Sequence, residues 1–413
     1  MKFIIFTFLI SVSFCANCFS QQNTYSSDEL FSQARGLAFD QKDYQKAILL
    51  TKMALSQSPD YTDLSVFLGR LYTWTDKIDS AQFVFENLQK KGIADEDYFI
   101  AYGSLLYWND ITAKANEIVG EGLVHHPQSE GLLILKAKIE YVKKDYLSAN
   151  KTLVTLINLN PGHTEGRVLS NKIKDYVAKN AIGLSYSFTH FDKQFADNWH
   201  IASLSYKRMT SLGSLIFRTN FANKFASNGL QFEMEAYPRI NDIFYLYVGA
   251  GYSEDVGIFP KYRTGASLYA NLPQSFEGEV GFRQLYFSSN IWMYTASIGK
   301  YYKNFWFNLR TYLTPNQEAV SHSYTGTLRY YTKGANDYIG FQLGTGISPE
   351  ENRNNLLVLD EYKLKTFKVG GDYNFSIGRT NLFGISMTYF NQEYRLDEKG
   401  NQFDISLSYS KIF

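Results

Sequence analysis

The sequence predicts a multidomain chain of mixed class. A solenoid of paired α-helices precedes an antiparallel transmembrane β-barrel of about 14 strands, with roughly 12–16 admissible. Three observations carry this. Up to about Ala181, apolar residues recur at helical spacing inside a repeat of 34 residues. From Ala181 to Phe413 they alternate, one facing in and one facing out. A short apolar leader precedes both parts. The expected segments are therefore a signal peptide over 1–20, helical repeats over 21–180 and a barrel over 181–413.

The leader comprises Met1-Lys2, the apolar run Phe3 to Phe14, and Cys18-Phe19-Ser20-Gln21. One positive charge, a short apolar core and small residues before the expected cleavage between Ser20 and Gln21 describe a secretory signal. The run is too short to span a bilayer as a helix, which needs about 20 residues. Lipid attachment at Cys15 or Cys18 is the alternative, but Phe14 and Asn17 stand where such sites want a small residue. Both cysteines of the chain lie in this leader. The expected mature protein thus has no disulfide, thiolate nucleophile or cysteine-bound metal.

Pro59, Pro127 and Pro161 mark the repeat, with spacings of 68 and 34 residues; Gly92-Ile93 stands where one proline is missing. On this period Ala47, Ala81, Ala115 and Ala149 share one position, and Gly69, Gly103 and Ala137 another. Such columns of small residues belong where helices cross closely. The pattern resembles the tetratricopeptide repeat, and gives four repeats over about 28–161 followed by a capping helix from Thr164 to Lys179. The resemblance implies a groove lined by the first helix of each repeat, here Arg70, Thr73, Ile100, Ser104, Tyr107, Lys138 and Tyr141. That groove would take an extended protein partner; the plainer reading is a stiff spacer. Trp74 and Trp108 are also 34 residues apart, which favours packing between repeats over sugar stacking.

In the strand-rich half, Phe305, Phe307, Leu309, Thr311 and Leu313 oppose Trp306, Asn308, Arg310 and Tyr312. Such alternation suits a lipid-facing outside and a polar inside. The inward set is expected to hold Arg218, Glu233, Glu235, Arg263, Glu277, Glu279, Arg283, Arg310, Arg329 and Asp372. These residues either pair across a mostly filled lumen or line a water path. Tyr237, Tyr247, Tyr269, Trp306 and Tyr312 form either an aromatic track for sugar rings or lumen packing. Six short connections alternate with longer ones, among them Lys224–Gly229, Ser348–Tyr362 and Leu396–Gly400, with Tyr286–Asn290 a short exception. Ile405, Leu407, Tyr409 and Phe413 resemble the closing-strand signal read by the barrel-assembly machinery, interrupted by Lys411. A soluble β-sandwich is the alternative for this half.

Composition agrees. Aromatics make up 17% of residues, with Tyr and Phe at 32 each, which suits boundaries between apolar and wet surroundings. Net charge is +1 with acids and bases interspersed, so the concentrated basic face of a nucleic-acid binder is missing. The six histidines show no metal-ligand spacing, and no nucleophile elbow, phosphate loop or dinucleotide fingerprint occurs. No cofactor, metal or catalytic residue is expected. A barrel enzyme built on Ser185 and His190, or on His322 beside Ser321 and Ser323, ranks last.

Taken together, the segments Leu71-Tyr72-Thr73-Trp74-Thr75 and Leu106-Tyr107-Trp108-Asn109, the direct run into strands at Ala181 and the closing Ile405–Phe413 strand resemble the YaiO family of outer-membrane β-barrels with N-terminal tetratricopeptide repeats. A more distant likeness is to exopolysaccharide secretins, whose barrels are larger. The resemblance implies the outer membrane of a Gram-negative bacterium, with lipid and the assembly machinery as partners. It further implies a periplasmic arm that docks a protein, with surface-polysaccharide assembly or export as the role. The alternative is a passive structural or adhesin-like barrel without a pore.

Overall fold

The computed structural model describes residues 25–174, 176–177, 179–255, 257–315, 320–346, 366–378, 380–395 and 397–413. The expected signal peptide with Ser20 and Gln21, and the Ser348–Tyr362 loop, lie outside them. The chain divides into two compact units, one ending at Pro127 and the other running from Gln128 to Phe413.

The first unit contains helices α1 (Ser27–Phe39), α2 (Tyr44–Gln57), α3 (Thr62–Trp74), α4 (Ile78–Lys90), α5 (Glu96–Trp108) and α6 (Thr112–His125). Their ends are written in the sequence. Ser26 and Glu29 form a capping box, while Asp43 and Asp95 accept from the amides of Lys46 and Tyr98. Between paired helices the chain turns through a left-handed residue: Lys42, Asp76 and Asp110, with φ of 55, 57 and 58°. After Asp76 and Asp110 the next amide donates five residues back, as in Lys77 N to Tyr72 O at 2.9 Å, the Schellman closure; after Lys42 the Asp43 amide reaches one residue further, to Leu37 O at 2.9 Å. Ala47, Ala81 and Ala115 are fully buried. At Gly69 a Cβ would stand 2.4 Å from the Phe85 ring, so that crossing admits only glycine.

Of the two repeat tryptophans, Trp74 packs between repeats as expected and Trp108 does not. Trp74 packs against Phe39 and Tyr44 of the preceding repeat, at 5.7 and 5.9 Å between ring centroids. Trp108 is 61% exposed. One period back, it would meet Thr73 and Ile78 in place of those rings, and Thr73 turns its hydroxyl onto the Gly69 carbonyl.

The second unit begins with α7 (Glu130–Val142), α8 (Tyr146–Leu159) and α9 (Thr164–Ile173). The same turn recurs at Lys144, φ 60°. Helix α9 stops at Ile173, short of the expected Lys179.

The barrel strands are β1 (Asn180–Phe191), β2 (Trp199–Thr210), β3 (Gly213–Lys224), β4 (Ser227–Pro238), β5 (Phe244–Tyr252), β6 (Tyr262–Leu272) and β7 (Phe276–Tyr286). They continue as β8 (Asn290–Tyr302), β9 (Phe305–Pro315), β10 (Val320–Tyr331), β11 (Tyr338–Thr345), β12 (Thr366–Ile377), β13 (Asn381–Arg395) and β14 (Glu398–Ile412). Each pairs antiparallel with its neighbours, and β14 closes on β1. Closure leaves no sheet edge, which a strand in lipid requires. Leu184, Phe217, Met234, Leu309, Phe341 and Leu407 are among the exposed apolar residues of the outer face. Ile405 also faces out, Tyr409 bonds Asn381, and Lys411 bonds Thr380 and Asn381 at the end of the wall.

At the joint end, where β1 enters and β14 leaves, no connection is longer than that between Tyr331 and Tyr338. The distal end is more varied than expected. Lys224 pairs with Ser227 and Arg395 with Glu398, so two expected loops are two-residue turns. Phe225 and Ala226 hold φ of 54 and 55° there without a glycine. Phe225 packs edge-on against Phe195 and Trp199, which offsets the strain of that conformation.

Candidate functional site

The inward faces of β3 to β9 form a bulky, charged wall. Arg218, Glu233, Gly251 and Arg263 occupy one cross-strand row. Gly251 leaves the opening through which Arg263 reaches Glu233 at 3.1 Å; Arg218 meets the same carboxylate at 2.9 Å and Glu235 at 3.3 Å. A second cluster centres on Glu279, which takes Arg310 at 2.6 Å and Arg283 at 3.5 Å. Arg283 crosses Gly265, where a Cβ would lie 2.6 Å from its Cδ. Glu277 accepts from Trp306 Nε1 at 3.0 Å, and Arg329 lies over Trp306 and Tyr338. Asp372 sits beside Gly340 and accepts from Asn374. Each guanidinium of the two clusters thus has a carboxylate beside it, as burial of charge demands.

The five aromatic candidates are packed into this wall. Tyr237 meets Tyr247, Arg283 lies over Tyr247, and Tyr269 stacks on Tyr245. Trp306 is taken by Glu277 and Arg329, while Tyr312 joins Leu285, Phe287 and Met293 in an apolar cluster.

The sector that adjoins this wall at β2, comprising β13, β14, β1 and β2, presents small hydroxyls. Ser185 is paired with Ser203 and Ser408, and Ser406 with Ser187 and Ser386. The hydroxyls of Ser187 and Ser406 are 2.8 Å apart. Ser408 is exposed and its inward neighbours are half-buried, so accessible space lies before this wall. The charged residues were conspicuous in the sequence; the hydroxyl wall was not assembled from it. Its signal was Ser-x-Ser, at Ser185–Ser187, Ser203–Ser205 and Ser406–Ser410.

At the joint end, helices α7 to α9 are fastened to the barrel turns. Arg167 of α9 is fully buried and donates to the carbonyls of Lys333 and Pro161 at 2.8 and 3.0 Å, with its guanidinium over Tyr331. Thr164 Oγ1 accepts from the Lys303 amide at 2.7 Å. Tyr141 donates to Asp242 at 2.7 Å, Arg239 donates to the Lys172 carbonyl, and Lys172 lies over the Tyr141 ring. The Tyr141 hydroxyl, then Lys172, hold the Asp242 carboxyl below its ordinary pKa, against partial burial. Burial lowers the Lys172 ammonium more than Asp242 restores it, and burial also raises the Tyr141 hydroxyl.

The seven groove candidates divide. Lys138 pairs with Glu165 at 2.7 Å and Tyr141 with Asp242, so both belong to the joint and are not open groove positions. In the first unit Arg70 pairs with Asp97 at 2.9 Å, and Thr73 bonds its own helix. Ile100, Ser104 and Tyr107 are half-buried on α5. The serine–histidine pairs do not assemble. Ser185 points inward, whereas His190 is on the other face and bonds Asn198; His322 likewise stacks on Tyr324, on the face opposite Ser321 and Ser323. Among the described residues no group of His, Cys, Asp and Glu could hold a metal ion.

The chain is similar to known families in both parts. The model described as "YaiO membrane beta barrel domain" matches residues 179–351, and a tetratricopeptide-repeat model matches residues 38–101. Among solved structures, a tetratricopeptide repeat protein from Parabacteroides merdae aligns at 16% identity and a TM-score of 0.33, covering 36% of this chain and 59% of that one. A thermophilic repeat protein from Thermus thermophilus aligns at 13% identity and 0.32, covering 36% and 81%. YrrB, described as having an unusual peptide-binding site, aligns at 14% and 0.32, covering 37% and 79%. No curated protein matches the sequence.

Proposed function

This chain carries a YaiO membrane β-barrel domain joined to tetratricopeptide repeats, and we propose that it holds a periplasmic protein partner at the outer membrane. In this reading the barrel is the anchor, the joint end faces the periplasm, and the repeats receive the partner. The role is in assembly or export of a surface polysaccharide. One observation carries the reading: the last helices are locked to the barrel turns through buried Arg167 and the Tyr141–Asp242 bond. A flexible tether would suffice for a passive barrel; a fixed joint holds helices α7 to α9 in place on the barrel turns.

The test uses the full chain in intact cells. Photo-crosslinking groups replace Ile100 and Ser104 on α5, or the exposed Leu49 and Phe83 on α2 and α4. A discrete envelope-protein adduct from the α5 positions alone is expected, together with loss of surface polysaccharide when the repeats are deleted. Absence of any adduct, with polysaccharide intact, would leave the passive structural barrel as the better reading.

A further inference from the structure

The exposed charge of the lumen differs from its total charge. In the two carboxylate-centred clusters the acids lie deepest: the side chains of Glu279 and Glu233 are 1% and 4% exposed. Their arginines lie nearer the open space, with Arg218 at 32%, Arg310 at 30% and Arg263 at 20%. A solute inside the barrel therefore meets guanidinium edges, while the neutralising carboxylates sit behind them. Arg283, at 5%, is a buried strut. On β1 and β14, beyond β2 from Arg218, the solute meets the hydroxyls of Ser185, Ser187, Ser406 and Ser408.

The geometry points to a mid-lumen binding site for a polyhydroxylated anion, an acidic saccharide. Guanidinium forks bind carboxylates through paired N–H donors, and stay charged at any working pH. Serine hydroxyls both donate and accept, matching the alternating demands of sugar hydroxyls. The two recognition elements adjoin where Ser205 of β2 pairs with Arg218 of β3, and Arg310 extends the charged face round to β9, so a ligand that engages both must carry charge and hydroxyls together. The site is independent of partner docking by the repeats, because its residues all come from barrel strands.

Glu233 and Glu279 are each shared by two arginines, so a variant can keep a cation on both cluster centres, although Glu235 loses Arg218 as its partner. Removing Arg218 leaves Arg263 on Glu233, and removing Arg310 leaves Arg283 on Glu279. The test titrates full-length protein in detergent micelles with trigalacturonate, neutral maltotriose and citrate. Saturable binding of trigalacturonate, weaker binding of citrate and none of maltotriose are expected. The double variant Arg218→Gln/Arg310→Gln should bind trigalacturonate roughly 10- to 100-fold more weakly, the equivalent of one or two charge-assisted contacts. Arg218→Lys/Arg310→Lys, which keeps both charges, should retain most of the affinity. Heat-modifiable migration confirms that each variant is folded. No saturable trigalacturonate binding, or equal binding by the folded Gln variant, would overturn the site. Citrate binding as tight as trigalacturonate would overturn the role of the hydroxyl wall.

Discussion

The helical repeats and the barrel place opposite chemistry in their interiors. Ala47, Ala81 and Ala115 vanish into the repeat core, whereas the barrel buries Glu233, Glu279 and Arg283. Conversely, Leu49 of the repeats and Leu309 of the barrel are almost equally exposed, at 59% and 57%. The difference teaches that exposure has no fixed meaning until the solvent is known. Leu49 has one exposed apolar neighbour on its helix, Met53; Leu309 belongs to a continuous apolar belt, which a membrane barrel needs.

The strongest way to break this contrast is to remove the carboxylate that organises the inverted interior. Glu279→Gln withdraws the shared partner of Arg283 and Arg310 and leaves both guanidiniums beside a neutral amide. Uncompensated buried charge typically costs about 3–5 kcal/mol. The barrel should lose its heat-modifiable band at a distinctly lower temperature, and a melting point unchanged from wild type would mean that the cluster is solvated.

A smaller effect sharpens the comparison between the two leucines. Leu309→Arg should cost about 2–4 kcal/mol if that position faces the middle of the lipid. Leu49→Arg, at equal exposure, should stay within about 0.5 kcal/mol. Urea unfolding in lipid vesicles measures the first and repeat-helix circular dichroism of the full chain the second. Equal costs at both sites would argue that the barrel wall does not meet lipid.

Much of this was legible because it is local. The 34-residue period, the alanine columns and the alternation at Phe305–Leu313 follow from neighbours in sequence, and each became an element where expected. What escaped was set by distant partners. Arg167 reads as an ordinary surface arginine on α9, because its acceptor is the Lys333 carbonyl, 166 residues away. Tyr141 and Lys138 sit at groove positions of the repeat, yet the turn at Asp242 and helix α9 claim them. Phe225-Ala226 carries none of the Gly or Asn that announces a two-residue hairpin; aromatic packing from Phe195 and Trp199 stands in for that signal.

The smallest expected effect concerns the joint, where the two kinds of interior meet. Tyr141 and Lys172 depress the Asp242 carboxyl. A carboxyl whose folded pKa is depressed contributes stability that is complete above its unfolded value, about 3.9, and is lost as pH falls through the folded value. Acidification below about pH 4 should therefore loosen α7 to α9 from the barrel turns. Asp242 is largely exposed, so screening keeps the change modest. Amide hydrogen exchange, expressed as protection factors to remove the intrinsic pH dependence, should show lower protection in α9 at pH 3.5 than at pH 6. Asp242→Asn should already show the lower protection at pH 6 and respond little to acid, and Tyr141→Phe should do the same in smaller measure, because a carboxyl released towards its ordinary value has little pH-dependent stability left to lose. Protection in α9 that is indifferent to pH in all three proteins would mean that Arg167 and Thr164 alone hold the helices to the barrel.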